Sequence, residues 1–247
     1  MDVTCNFKRI EKKYLLSESR YDGLMERIDS HLRPDEYGRS TVLSLYLDTP
    51  DHRIIRNSLE AEEYKEKLRL RSYGTARADS RVFLELKKKF RGVVYKRRVS
   101  MTLEEAERYL RLGIKPFESQ IMSEIDWAMR LYGRPQGAML IACEREAWFD
   151  EEHPDLRLTF DRGIRCRETE LQLSRGSAGE ALLPQDTVLL EIKTAGAMPL
   201  WLADALDAEG ILPGRFSKYG AAYTRALERR QYPVIRGEGG NKHVVNL

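Results

Sequence analysis

Alternation of apolar and polar residues marks eight stretches as strands: 7–16, 41–48, 64–73, 81–89, 94–101, 138–149, 155–162 and 187–194. Six helices are predicted between and after them, over 19–31, 51–59, 103–110, 118–131, 199–207 and 217–229, with Ser17, Ser19 and Thr102 as start signals. The strands come in runs without regular helical crossovers. That order predicts an α+β fold built on an antiparallel sheet or barrel and argues against a doubly wound nucleotide-binding fold.

In a strand, residues i, i+2 and i+4 share a face. One face of each predicted strand collects charge: Arg9, Glu11 and Lys13; Lys65, Lys67, Arg69 and Arg71; Glu85, Lys87 and Lys89; Lys96 and Arg98; Arg145; Arg157 and Asp161; Glu191 and Lys193. The opposite faces carry Ile10, Leu68, Leu70, Leu84, Leu86, Val99, Leu156, Leu158 and Ile192. An ordinary half-exposed sheet mixes Thr, Ser and Gln into its polar face, whereas here Arg, Lys and Glu dominate strand after strand. The pattern predicts an eight-stranded antiparallel β-barrel with helices packed on the outside of the apolar face and a wet, cationic lumen. A merely solvated basic sheet is the plainer alternative.

Net charge alone hides this. The chain has 42 Lys+Arg and 39 Asp+Glu, for +3 over 247 residues. Between Lys65 and Arg98, however, thirteen Lys/Arg face three acids, so this segment carries +10 and the rest of the chain −7. Concentrated positive charge is what an anion site requires. Arginine offers a planar fork matched to phosphate oxygens and lysine a mobile point charge.

Other classes find less support. The three cysteines, Cys5, Cys143 and Cys166, form no CxxC pair, so neither a disulfide framework nor a thiolate zinc site is encoded. His31, His52, His153 and His243 are scattered, with none at metal spacing. Neither a signal-peptide core nor a run of about 20 apolar residues is present, and a cytoplasmic location is expected. Nucleic acid is disfavoured as a ligand because the cations alternate inward without exposed aromatics for base stacking. Tyr14, Tyr46 and Tyr73 are read as core packing before any stacking on a nucleobase. A single domain over 1–232 with a polar tail at 233–247 is the simplest partition.

In chain order the segments FKRIEKKYLL, SLYLDT, YKEKLRLRSYG, FLELKKKFRGVVYKRRV, CEREAW, LRLTFDRGI, LLEIKT and FSKYGAAY resemble the VTC domain, the polyphosphate polymerase domain of the triphosphate tunnel metalloenzyme superfamily. The resemblance runs from about Phe7 to Tyr223. It implies an antiparallel tunnel in which ATP donates its γ-phosphate to the end of a growing inorganic polyphosphate, with Mn2+ or Mg2+ as cofactor. It assigns catalytic roles to Lys13, Arg69, Arg71, Lys87, Arg98, Arg145, Arg157 and Lys218, with Lys96 or Arg97 as alternative counterparts of Arg98. Arg9, Lys67, Lys89, Lys96 and Lys193 are expected to contact substrate, and Glu191, with Glu11 and Glu85, to hold metal. For Glu11, Glu85 and Asp161 a salt bridge to neighbouring cations is the competing role, with Arg157 the expected partner of Asp161. Hydrolases of the superfamily begin with ExExK; here Arg9 occupies the first glutamate position, which favours chain transfer over hydrolysis. A tripolyphosphatase or nucleoside triphosphatase, or a non-catalytic polyphosphate-binding module, are the alternatives. Polyphosphate export would need a separate membrane protein as partner.

Overall fold

The computed structural model describes residues 10–61, 63–91 and 93–231. Arg9, the start of the first predicted strand and the 233–247 tail lie outside them. Eight strands follow one another across a single sheet: β1 (Ile10–Ser17), β9 (Thr187–Thr194), β7 (Arg157–Arg167), β6 (Gln136–Asp150), β2 (Leu32–Asp48), β3 (Tyr64–Tyr73), β4 (Arg81–Phe90) and β5 (Val93–Thr102). The two-residue β8 (Glu180–Ala181) pairs with β7 off this path. Every pairing is antiparallel.

β2 and β7 run furthest past their predicted bounds. β2 begins nine residues before Thr41, and its register with β6 breaks between Pro34 and Arg39, where Gly38 has φ +47°. Such a bulge lets an antiparallel ladder absorb residues whose chemistry reads as a turn. β7 continues to Arg167, past Gly163 at φ +52°.

The helices are α1 (Glu18–Ile28), α2 (Arg53–Glu60), α3 (Leu103–Leu112), α4 (Gln120–Leu131), α5 (Leu200–Ala208) and α6 (Lys218–Gln231). Ser17 accepts the Arg20 N–H to start α1, Thr102 and Glu105 form a capping box on α3, and Ser119 caps α4. Among the described residues no helix is long and apolar enough to cross a membrane.

Three apolar clusters assemble these parts. Leu43, Leu45, Leu68, Leu84 and Val99 pack outward against Ala106, Tyr109, Met122 and Ile125 of α3 and α4. Tyr14, Leu158, Leu190 and Ile192 do the same against α1 and α5 through Leu24, Ile28, Leu202 and Leu206. The third cluster departs from the expectation that all helices lie outside. Val42, Tyr46, Met139, Ile141, Cys143 and Leu189, on the inward face, bury Tyr219, Ala222, Tyr223 and Ala226 of α6. Asp48 fastens that helix: it accepts the Ile54 and Ile55 N–H groups at the start of α2 (2.8 and 3.0 Å) and the Tyr219 hydroxyl (2.8 Å). The sheet curls without a backbone ladder between β1 and β5 among the described residues; β1 and the penultimate strand β4 meet through the Glu11–Lys87 ion pair.

Candidate functional site

The concave face encloses a cavity of about 810 Å³ whose walls present twelve Lys/Arg side chains and three glutamates, Glu11, Glu66 and Glu191. Strand alternation produces this lining, and antiparallel register stacks it in rows across β3, β4 and β5. Lys65 faces Lys89; Lys67 faces Lys87, then Lys96; Arg69 faces Glu85, then Arg98; Arg71 faces Phe83, then Ser100. The opposite wall supplies Lys13 beside Glu191, Glu11 beside Lys193, and Arg145. Lys218, the first residue of α6, enters from the helix on the concave face.

Carboxylates hold many of these cations in place. Glu85, 1% exposed, meets Arg69 at 2.6 Å, Lys96 at 2.7 Å and Arg98 at 3.1 Å. Burial alone would raise its pKa, but Arg69, Arg71, Lys96 and Arg98 keep it well below the usual carboxylate range. Glu191 is shared by Lys218 (3.1 Å), Lys193 (3.2 Å) and Lys13 (3.5 Å), and its pKa is likewise held well down against burial. Asp161 takes a two-pronged contact from Arg145 (2.6 and 2.7 Å) and another from Lys218 (2.5 Å). Burial pushes Glu11 up, yet Lys87 and Lys13 bring it to about 2.

Arg71 differs from its neighbours. It is 8% exposed and donates to the Ser44 hydroxyl at 3.2 Å, and among the described residues no carboxylate lies within ion-pair distance. Burial, then the Arg69 charge, lower its pKa. Burying a guanidinium without an ion-paired carboxylate is costly, and a bound anion would offset that cost. Nearby, desolvation and like charges bring Lys67 to about 8; Tyr46, raised by burial, is drawn to about 8 by Arg69, Lys67 and Arg71.

Several expected placements change. Arg97 points away from the cavity and pairs with Glu124 on α4 at 2.5 Å, so it is not the inward counterpart of Arg98. Asp161 bonds Arg145 and Lys218 in place of Arg157. Arg157 shares the inward face, opposite Lys193, but lies outside the cavity lining, over the Phe149 ring at 5.0 Å with a buried Nη1 that has no hydrogen-bond partner. Tyr73 is 43% exposed on the cavity wall, not core; Tyr14 and Tyr46 are buried, Tyr46 stacked on Tyr219 at 4.5 Å. Sequence reasoning missed Ser44, Ser217 and Phe83. Ser217 accepts from Lys67 (2.7 Å), and the Phe216 carbonyl accepts from Lys13 (3.0 Å). The inward phase of 42, 44 and 46 could have revealed Ser44; Phe83 shares the phase of Glu85 and Lys87.

Among the described residues no three His, Cys, Asp or Glu side chains converge. Glu11 and Glu191 do flank a single ammonium, Lys13 Nζ, at 3.4 and 3.5 Å. Such a pair fits a Mg2+ or Mn2+ ion that completes its oxygen shell from phosphates and water, and does not fit a cage built from protein alone. Glu85, 1% exposed and outside the cavity lining that includes Glu11 and Glu191, is the least suited of the three expected ligands.

The family model for the VTC domain matches residues 8–227. No curated protein matches the chain. Among solved structures, a putative adenylyl cyclase from Hippeastrum, described as having a dominant triphosphatase activity, aligns with a TM-score of 0.50 at 17% identity, over 89% of this chain and 96% of that one. A putative adenylate cyclase from Vibrio parahaemolyticus gives 0.49 at 11% identity, over 89% and 99%. The Mimivirus capping enzyme triphosphatase gives 0.37 at 10% identity, over 83% and 86%. At 17% identity the likeness to the Hippeastrum protein concerns the fold alone.

Proposed function

The chain belongs to the VTC-domain family, and from that premise we propose that it is an ATP-dependent polyphosphate polymerase. The observation that carries the reading is Arg71, a buried guanidinium with a hydroxyl partner and, among the described residues, no carboxylate within ion-pair distance, set in a wall of twelve cations. A polyanion is the ligand that neutralises such a wall. ATP and inorganic polyphosphate are the substrates proposed, in a cytoplasmic protein that hands its product to a separate membrane partner.

In the proposed reaction the terminal oxyanion of a polyphosphate attacks the γ-phosphorus of ATP. The bond from that phosphorus to the β–γ bridging oxygen breaks, ADP leaves with the electron pair, and the chain grows by one phosphate. Phosphoryl transfer asks mainly for in-line placement and neutralised equatorial oxygens. Arg69, Arg71, Arg98 and Arg145 supply fixed donors, and Lys13, Lys67, Lys87, Lys96 and Lys218 supply charge. Glu85 and Asp161 act as hubs that hold these cations apart. Glu191 and Glu11 would hold Mg2+ or Mn2+, which when bound supplies further charge neutralisation on the phosphates.

Carboxylate chemistry favours transfer over hydrolysis. Attack by water calls for a base with a pKa near the working pH. Glu11, Glu85, Glu191 and Asp161 are all held low by cations, which suits them to anchoring charge and not to taking a proton. A phosphate-chain terminus is already anionic and needs no base. Incubation with ATP and Mn2+ or Mg2+, followed by gel separation of chains longer than triphosphate, tests the reading. Release of ADP and orthophosphate alone would select a nucleoside triphosphatase, and polyphosphate binding with no turnover under either metal would select a binding module.

A further inference from the structure

On the outer face of the sheet, α3 and α4 cover Leu68, Leu84, Leu86 and Val99. Toward the strand ends the same phase continues as Tyr64 on β3, Phe90 on β4 and Tyr95 on β5, and there all three side chains are exposed. Tyr64 and Phe90 are direct partners across the ladder, with ring centres 6.4 Å apart. One row further in on this face, Tyr95 is paired with Lys88, whose Nζ lies 5.6 Å from the centre of the Trp127 ring on α4. Trp127 and Leu131, one helical turn apart, are 55% and 56% exposed. The five side chains make one apolar patch, on the opposite face of the sheet from the cavity lining.

Single exposed apolar residues are ordinary, but a contiguous group of large ones marks an interaction surface. Cations are interleaved with this group. The Arg91 guanidinium lies 5.3 Å from the centre of the Phe90 ring and 3.7 Å from Glu63, and Lys88 pairs with the buried Glu66 at 3.3 Å. Lys65 and Lys89, partners in the adjoining row, have no ion-pair partner among the described residues. The cores of protein–protein interfaces are depleted in lysine. A lipid surface has the complementary chemistry: aromatic rings settle at headgroup level, basic side chains lay their stems along apolar material, and unpaired ammonium groups are drawn to anionic headgroups.

We propose that this patch docks the protein on a membrane surface that carries anionic lipid, with Tyr64, Phe90, Tyr95, Trp127 and Leu131 entering the headgroup layer. Lys65, Lys89 and Arg91 then face the anionic headgroups. Lys65 and Lys89 also border the cavity, so docking holds that end of it at the membrane surface. The apolar contacts and the cavity lining occupy opposite faces of the same strands. The inference is therefore independent of which reaction the cavity performs.

Sedimentation of the full chain with vesicles tests it, comparing phosphatidylcholine alone with a mixture of phosphatidylcholine and phosphatidylserine. Wild-type protein is expected to bind the mixed vesicles about 10-fold or more tightly than the neutral ones, and less tightly as salt is raised. The double variant Phe90→Ser, Trp127→Ser keeps every cavity cation and is expected to weaken binding to mixed vesicles by about 10-fold or more, with its thermal midpoint close to that of wild type. A second readout needs only a conservative change: bromine-labelled lipid should quench tryptophan fluorescence in wild type, and Trp127→Phe should remove most of that quenching. Failure to bind mixed vesicles, binding that the double variant retains, or quenching that survives Trp127→Phe would each overturn the proposal. A concentration-dependent dimer that the double variant dissolves, with no vesicle binding, would assign the patch to a second copy of the chain and overturn it as well.

Discussion

The Nζ of Lys87 on β4 lies 2.9 Å from the Glu11 carboxylate on β1, so the two flanks of the curled sheet are tied by an ion pair where no backbone ladder joins them among the described residues. Both side chains belong to the cavity wall, so the seam and the site share residues. Lys87→Met should lower stability by no more than about 1 kcal/mol, because the pair is partly solvated. It should nevertheless speed amide exchange in β1 and β4. Unchanged exchange in both strands would show that side chains do not hold the seam.

Arg71 yields the sharpest contrast between stability and binding. A buried cation without a carboxylate costs folding energy, so Arg71→Met, of similar length and no charge, is expected to raise Tm by about 3 °C. The same variant should lose about tenfold or more in tripolyphosphate affinity. A lower Tm with affinity intact would assign Arg71 to the structure and not to the ligand.

Burial and like charges bring Lys67 from 10.5 to about 8. Between those values the unfolded chain carries a proton that the folded chain lacks, so this group makes stability rise with pH across that window. A bound polyanion favours the charged ammonium. Polyphosphate binding at pH 8.5 should therefore take up protons, and at pH 6.5 almost none, read from titrations in buffers of different ionisation enthalpy. Tyr46, also near 8, contributes in the same direction, and Lys67→Met should remove the lysine's share. Equal uptake at both pH values would refute this electrostatic account of the cavity.

Glu191 is expected to separate binding from turnover. Glu191→Gln takes one negative charge from a wall that already repels itself, so polyphosphate should bind at least as tightly as before. Turnover should fall by more than about 100-fold, through loss of a metal-holding carboxylate and of the shared counter-charge for Lys13, Lys193 and Lys218. Chelation of divalent metal in the wild-type protein should reproduce that split, with binding retained and turnover lost. A Glu191→Gln protein that still turns over normally would exclude this carboxylate from the reaction.

Much of the cavity was readable because strand alternation has a fixed period. Lys65, Lys67, Arg69 and Arg71 share one face and Leu68 and Leu70 the other, and that phase carries across β4 and β5. What period alone did not reveal was what covers each face. Val42, Tyr46, Met139, Ile141 and Cys143 make the inward phase of β2 and β6 apolar as well, which requires cover on both sides, and α6 supplies it with Tyr219, Ala222 and Tyr223. The partner of Asp161 was equally out of reach, since Arg157 and Arg145 share the inner face and three-dimensional register decides between them. Tyr73 was misread because its neighbours suggested core while its position at the strand end exposes it.

The cationic cavity is proposed to lengthen a phosphate chain at the expense of ATP. The most direct measurement is a 31P NMR time course of purified protein with ATP and Mn2+ or Mg2+, comparing ADP formed with internal chain phosphate gained. The account predicts a rise in internal polyphosphate resonances that matches ADP one for one, with little orthophosphate. ADP formation matched by orthophosphate, with no internal chain signal under either metal, would contradict it.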